Sequence, residues 1–92
     1  MAKTRAHVIV RGLVQGVAFR YSTVWQAQEL NITGWVRNAQ DGAVEAVFEG
    51  DEDDVRRMAD WCRTGPPSAE VSGVDADYSG ATGEFNGFRV VR

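Results

Sequence analysis

Ile32-Thr33-Gly34-Trp35-Val36-Arg37-Asn38-Ala39-Gln40-Asp41-Gly42-Ala43-Val44-Glu45-Ala46-Val47-Phe48-Glu49 is the stretch whose pattern decides the architecture. From Ala43 to Glu49 the residues alternate. Val44, Ala46 and Phe48 fall on one face and Glu45, Val47 and Glu49 on the other, the period of a strand with one buried side. Asp41-Gly42 is a strong hairpin signal, because such turns require backbone conformations that Asp and Gly tolerate. Ile32 to Asn38 therefore reads as a strand that folds back, antiparallel, onto the next one. The chain has a hairpin at its middle, and what flanks the hairpin settles the rest.

Upstream, Ser22 or its neighbour is expected to cap a helix that runs to about Leu30. Thr23, Ala27 and Leu30 repeat at helical spacing and form a core-facing stripe, with Val24 and Trp25 lying off it. Asn31 stands where a left-handed residue is expected to end the helix. Before that, residues 5–12 alternate loosely. Ala6, Val8 and Val10 share one face, and His7, Ile9 and Arg11 share the other. His7 lacks a partner nearby in sequence and is expected to be structural.

Downstream, Gly50-Asp51-Glu52-Asp53-Asp54 opens a second helix, with an Asp cap and carboxylates in the first turn, where the helix dipole favours them. A metal site is the weaker reading of this cluster, since the calcium-loop spacing is missing. Val55, Met58, Ala59 and Cys62 form the buried stripe, Trp61 sits at its edge, and Gly65-Pro66-Pro67 ends the helix. Cys62 reads as a buried apolar thiol. Ala69 to Tyr78 is a weaker strand interrupted by Gly73, residues 79–83 form a loop, and Phe88-Arg89-Val90-Val91 is a short terminal strand. The order βαββαβ with that extra strand predicts an α+β, ferredoxin-like sandwich: a mostly antiparallel sheet with two helices on one face. Residues 1–92 are expected to form one domain.

Composition narrows the function. The 92 residues carry a net charge of −3, against the basic face that a nucleic-acid or membrane-surface binder needs. Hydrophobic content of 43% and charged content of 25% are those of a globular domain. A single cysteine builds neither an internal disulfide nor a zinc site. No signal or membrane-spanning segment is evident, so a cytoplasmic setting is expected.

The chemistry concentrates in Gly12-Leu13-Val14-Gln15-Gly16-Val17-Ala18-Phe19-Arg20, between the first strand and the first helix. Strand, glycine-containing loop and helix can aim a row of backbone N–H groups at an anion, and the permanently charged fork of Arg20 suits phosphate or carboxylate. A crossover connection makes the first two strands parallel, with the third strand inserted between them. Parallel strands end at the same sheet edge, so Asn38 is expected to close on the loop that carries Arg20.

Residues 12–20, followed by Gly34-Trp35-Val36-Arg37-Asn38 and Asp41-Gly42-Ala43-Val44-Glu45, resemble the acylphosphatase family. The likeness extends over essentially the whole chain, including Gly65-Pro66-Pro67 and the tail from Phe85 to Val91. The resemblance implies hydrolysis of a carboxylic–phosphoric mixed anhydride, a small-molecule acyl phosphate, with no metal, no cofactor and no nucleic-acid or membrane partner, by a monomer. It implies that Arg20 binds the phosphoryl group, that the backbone of Gln15, Gly16, Val17, Ala18, Phe19 and Arg20 cradles it, and that Asn38 holds the attacking water. The departures are small. Ser22 stands where a bulky aromatic is common, Val24 and Trp25 stand where charged residues are common, and Asn31 replaces a frequent Gly. A second use of the same topology, RNA binding, needs aromatics on the central strands. The third strand offers Glu45, Val47 and Glu49 instead.

Overall fold

In a computed structural model describing residues 2–92, the chain forms β1 (Lys3–Leu13), α1 (Phe19–Glu29), β2 (Thr33–Asn38), β3 (Val44–Asp51), α2 (Glu52–Cys62), β4 (Glu70–Gly80) and β5 (Phe88–Val90). The strands make one sheet in the order β4-β1-β3-β2-β5. All pairs are antiparallel except β2 with β5. Both helices pack on one face: α1 lies over β2 and β5, and α2 over β1, β3 and β4. This is the expected ferredoxin-like arrangement, with β3 between two parallel strands.

Alternation explains the core. Ala6, Val8 and Val10 of β1, Val36 of β2, and Val44, Ala46 and Phe48 of β3 are buried beneath Phe19 and Ala27 of α1 and Val55, Met58 and Cys62 of α2. Phe88 of β5 stacks on Phe48 with ring centroids 5.7 Å apart. Among the described residues, no helix is long and apolar enough to cross a membrane.

Two helix starts differ from the sequence expectation. Helix α1 begins at Phe19, not at Ser22, which lies inside its first turn. The residue before it is Ala18, in left-handed conformation, whose carbonyl accepts the Ser22 N–H at 3.1 Å. Helix α2 does follow Asp51, with Glu52, Asp53 and Asp54 in its first turn, but the Asp51 carboxylate makes no cap bond. The β1–β3 register sets Lys3 opposite Asp51, and the lysine draws the carboxylate into a 3.1 Å ion pair instead. At the other end of α1, Asn31 has the anticipated left-handed geometry, with φ 55°. Thr23 and Ala27 are buried and Leu30 half-buried, Val24 packs beside them, and Trp25 is exposed.

The segment between β4 and β5 ties down the open face of the sheet. Glu49, only 3% exposed, accepts the backbone N–H groups of Thr82 and Gly83 at 3.0 Å, the Thr82 hydroxyl at 3.0 Å and Arg5 Nη1 at 3.0 Å. Burial pushes the Glu49 carboxyl up. The two amides, the guanidinium and the hydroxyl outweigh it and hold the group below the ordinary value of 4.5. A carboxyl held low by the fold stabilises it above the unfolded-state pKa and loses that contribution as pH falls through the folded value. Stability is therefore expected to decline as pH drops below 4.5. In urea titrations across that range, Glu49→Gln costs about 1–3 kcal/mol at neutral pH and shows a shallower acid decline. An unchanged acid slope in the variant would assign the decline to other carboxyls.

Candidate functional site

Val10 of β1 and Asn38 of β2 both pair with Val44 of β3. Adjacent strands lie about 4.8 Å apart, so the two positions flank β3 at a separation of about 10 Å. The chain leaving β1 and the end of β2 thus share one sheet edge. Val14, Gly16, Ala18, Phe19, Arg20, Tyr21 and Asn38 line a cavity there of about 270 Å³.

Local conformation around this cavity is of a kind that suits an anion. Gly16 has φ +76° and Ala18 φ +63°. Left-handed residues this close together curl the chain so that successive N–H groups converge, the geometry of an anion-binding nest. Glycine takes up such a conformation freely, whereas alanine is strained by about 1–2 kcal/mol. Strain of this kind persists where surrounding structure enforces it, and it clusters at functional positions. Helix α1 then begins with no side-chain cap and no acidic residue in its first turn. The amides ahead of its first internal hydrogen bond lack helical acceptors and carry the positive end of the dipole. Helix α2 differs, since its first turn carries Glu52, Asp53 and Asp54.

The side chains follow the same logic. Arg5, Arg11, Arg37, Arg56, Arg57 and Arg63 all pair with carboxylates. Half-buried Arg20 joins none of these pairs. Asn38 Oδ1 is a buried acceptor with no hydrogen-bond partner among the described residues. A buried amide oxygen without a partner is costly, so its persistence in the wall of this cavity is informative.

Of the other loop positions singled out from sequence, Gln15 turns its side chain away from the cavity. Its Nε2 donates to the carbonyls of Ala39 at 2.7 Å and Ala43 at 2.9 Å. It therefore fastens the loop to the β2–β3 turn and fixes the Arg20 segment relative to Asn38. Val17 is partly buried against the core. Buried Phe19 meets Trp61 with ring centroids 5.5 Å apart, anchoring the first turn of α1 to α2. Sequence reasoning missed Val14 and Tyr21 as wall residues. Helical succession after Arg20 was the available signal for Tyr21. The left-handed Ala18 had no signal at all, because alanine has no preference for that conformation.

Two other titratable groups lie outside this chemistry. His7 Nε2 and Arg37 Nε both bond to the Glu45 carboxylate, each at 2.6 Å. The His7 bond foremost, aided by Arg37 and opposed by burial, holds Glu45 below the usual carboxylate value. Burial pushes the Cys62 thiol up to about 12, so it carries no thiolate at neutral pH.

A sequence model of the acylphosphatase family matches residues 6–90. An acylphosphatase of Pelotomaculum thermopropionicum is 53% identical over 90 residues, covering 98% of this chain and 98% of its own. The crystal structure of acylphosphatase from Bacillus subtilis superposes with a TM-score of 0.92 at 31% identity, covering 97% of this chain and 99% of that one. The structure of an acylphosphatase from Coxiella burnetii gives a TM-score of 0.91 at 41% identity, over 98% and 94% respectively.

Proposed function

Because the chain belongs to the acylphosphatase family, we propose that it hydrolyses acyl phosphates to a carboxylate and phosphate in the cavity between the β1–α1 loop and Asn38. The observation that carries this reading is the buried, unpartnered Asn38 Oδ1 in the wall that also holds Arg20. An amide oxygen can accept a hydrogen bond from a water but cannot act as a strong base. Asn38 orients the attacking water. Arg20 and the backbone amides from Gln15 through Gly16, Val17, Ala18 and Phe19 to Arg20 hold the phosphoryl oxygens and neutralise their charge.

Phosphoryl transfer asks mainly for such positioning and charge stabilisation. The water oxygen bonds to phosphorus, the bond from phosphorus to the acyl oxygen breaks, and its electron pair leaves as a carboxylate. The acid conjugate to that leaving group has a pKa of about 4–5, so no general acid is needed. The water's proton passes to a phosphate oxygen or to solvent. The reading calls for no metal and no cofactor. Residues 1–92 act as one domain and as a monomer on a small molecule.

The test is phosphate release from acetyl phosphate with a chelator present. In Asn38→Ala, kcat is expected to fall about a hundredfold while KM stays within about threefold, since the contact matters most as the transition state forms. Circular dichroism checks that the fold persists. Undiminished kcat in the folded variant would remove Asn38 from the reaction.

A further inference from the structure

An acyl phosphate is an acylating agent as well as a phosphate donor. An uncharged amine or a thiolate can attack its acyl carbon and expel phosphate. Little in this protein can do so. The polar side chains lining the phosphoryl cavity are those of Arg20, Asn38 and Tyr21. A guanidinium and an amide are not nucleophiles, and a hydroxyl with no base beside it is a weak one. Cys62 is buried and its thiol is pushed up to about 12, so it offers no thiolate. His7 gives its Nε2 to Glu45 at 2.6 Å, and an acyl group on imidazole is itself lost to water. Of the ten Lys and Arg side chains, nine are arginines, which stay charged, and the tenth is Lys3.

The Lys3 side chain is 67% exposed, and its Nζ lies 3.1 Å from Asp51 Oδ1. We propose that Lys3 is the one side chain that acyl phosphates modify, and that its acylation transfers the Asp51 carboxylate from Lys3 to the N-terminus of α2. The proposal rests on the acyl-phosphate reading of the cavity, which supplies the acyl donor. The uncharged Nζ attacks the acyl carbon. The bond from that carbon to the phosphate oxygen breaks, its electron pair leaves with phosphate, and the amine's proton passes to solvent. The product is a neutral amide, so the net charge goes from −3 to −4 and the ion pair is lost. Asp51 already stands at the N-cap position of α2, with φ −60° and ψ 142°, and lacks only the side-chain bond. The Glu52 N–H is taken by the Ala2 carbonyl at 3.1 Å. The amides of Asp53 and Asp54, which have no helical acceptor, are those an N-cap carboxylate reaches. Lys3 lies seven residues along β1 from Val10, about 24 Å from the catalytic end of the strand. The acyl donor therefore arrives from solution, and the cavity is left as it was.

The test incubates the whole protein with acetyl phosphate at neutral pH and maps adducts by peptide mass spectrometry, with fragment spectra separating Lys3 from the α-amino group. Phosphate release is followed in the same samples. Acetyl is expected on Lys3 and on no other side chain. No adduct on Lys3, or a stable adduct on another side chain, would overturn the assignment while leaving the hydrolase reading in place. Absence of enzymatic phosphate release would overturn the hydrolase reading, and the source of the acyl group with it. The transfer of Asp51 is tested in Lys3→Gln, whose neutral amide stands in for the acylated lysine. Were Asp51 only the partner of Lys3, Asp51→Ala would cost less once Lys3 is gone. The opposite is expected: Asp51→Ala lowers Tm by about 2 °C in the wild type, where it removes a surface ion pair, and by about 5 °C in Lys3→Gln, where it removes a cap. A drop no larger in Lys3→Gln than in the wild type would overturn the transfer.

Discussion

Replacing Arg20 with alanine is expected to lower kcat/KM for an acyl phosphate by about a thousandfold or more, with no loss of fold. The magnitude is that of a lone guanidinium facing a transferring phosphoryl group. The preserved fold follows from the surroundings of the side chain, since Arg20 takes part in none of the ion pairs that engage six other arginines. It is therefore free to spend its charge on a ligand. Arg20→Lys recovers only part of the loss, because an ammonium supplies a point charge without the planar fork. Steady-state phosphate release and a thermal melt on the same samples check both halves. Retention of more than about a tenth of wild-type kcat/KM in Arg20→Ala would be incompatible with its proposed role.

The largest effect on stability belongs to Gly34→Ala. Gly34 has φ +135°, and a Cβ there would sit 1.9 Å from the Val47 carbonyl oxygen and 2.9 Å from its carbon. The atoms it meets are the backbone of the paired strand, which cannot rotate aside as a side chain can. Gly34 also donates its N–H to the Gly87 carbonyl at 2.9 Å, holding the approach to β5. Any movement of β2 that relieves the clash strains the pairing on one side or the other. A cost of about 4 kcal/mol or more is expected, a large part of the stability of a domain this size, with a fall in Tm of about 20 °C. Tryptophan fluorescence during heating measures it. Activity falls with it, since Asn38 ends the same strand. A fall of less than about 5 °C would mean that the two strands separate at little cost.

What could be read ahead of the structure followed the range of the interactions. Alternation over Ala43–Glu49 and the Asp41-Gly42 turn are local signals, and β2 and β3 pair as they imply. The topology alone then carries Asn38 to the Arg20 loop. The start of α1 departs from the local pattern for a chemical reason. Ser22 is a good cap by residue type, but this helix begins uncapped, behind a strained alanine, with its first amides bare. Asp51 is a cap by its neighbours in sequence, yet its partner is Lys3, supplied by a register that no local pattern reveals. Glu49 alternates onto the open face and so promises exposure. The amides that bury it lie 33 and 34 positions further along the chain.

The place of β1 in the sheet also bears on how the protein comes to be folded. β1 is the first strand of this sheet to be made, and it lies between β3 and β4, with Thr4 opposite both Gly50 and Gly80. A chain emerging from the ribosome in order cannot complete this strand's hydrogen bonds until β4 has been synthesised. The strand waits with its apolar face and both edges unsatisfied, and contacts spanning most of the sequence make the closing search slow. During that interval the β-branched run Val8-Ile9-Val10 is the segment most open to pairing with another nascent chain.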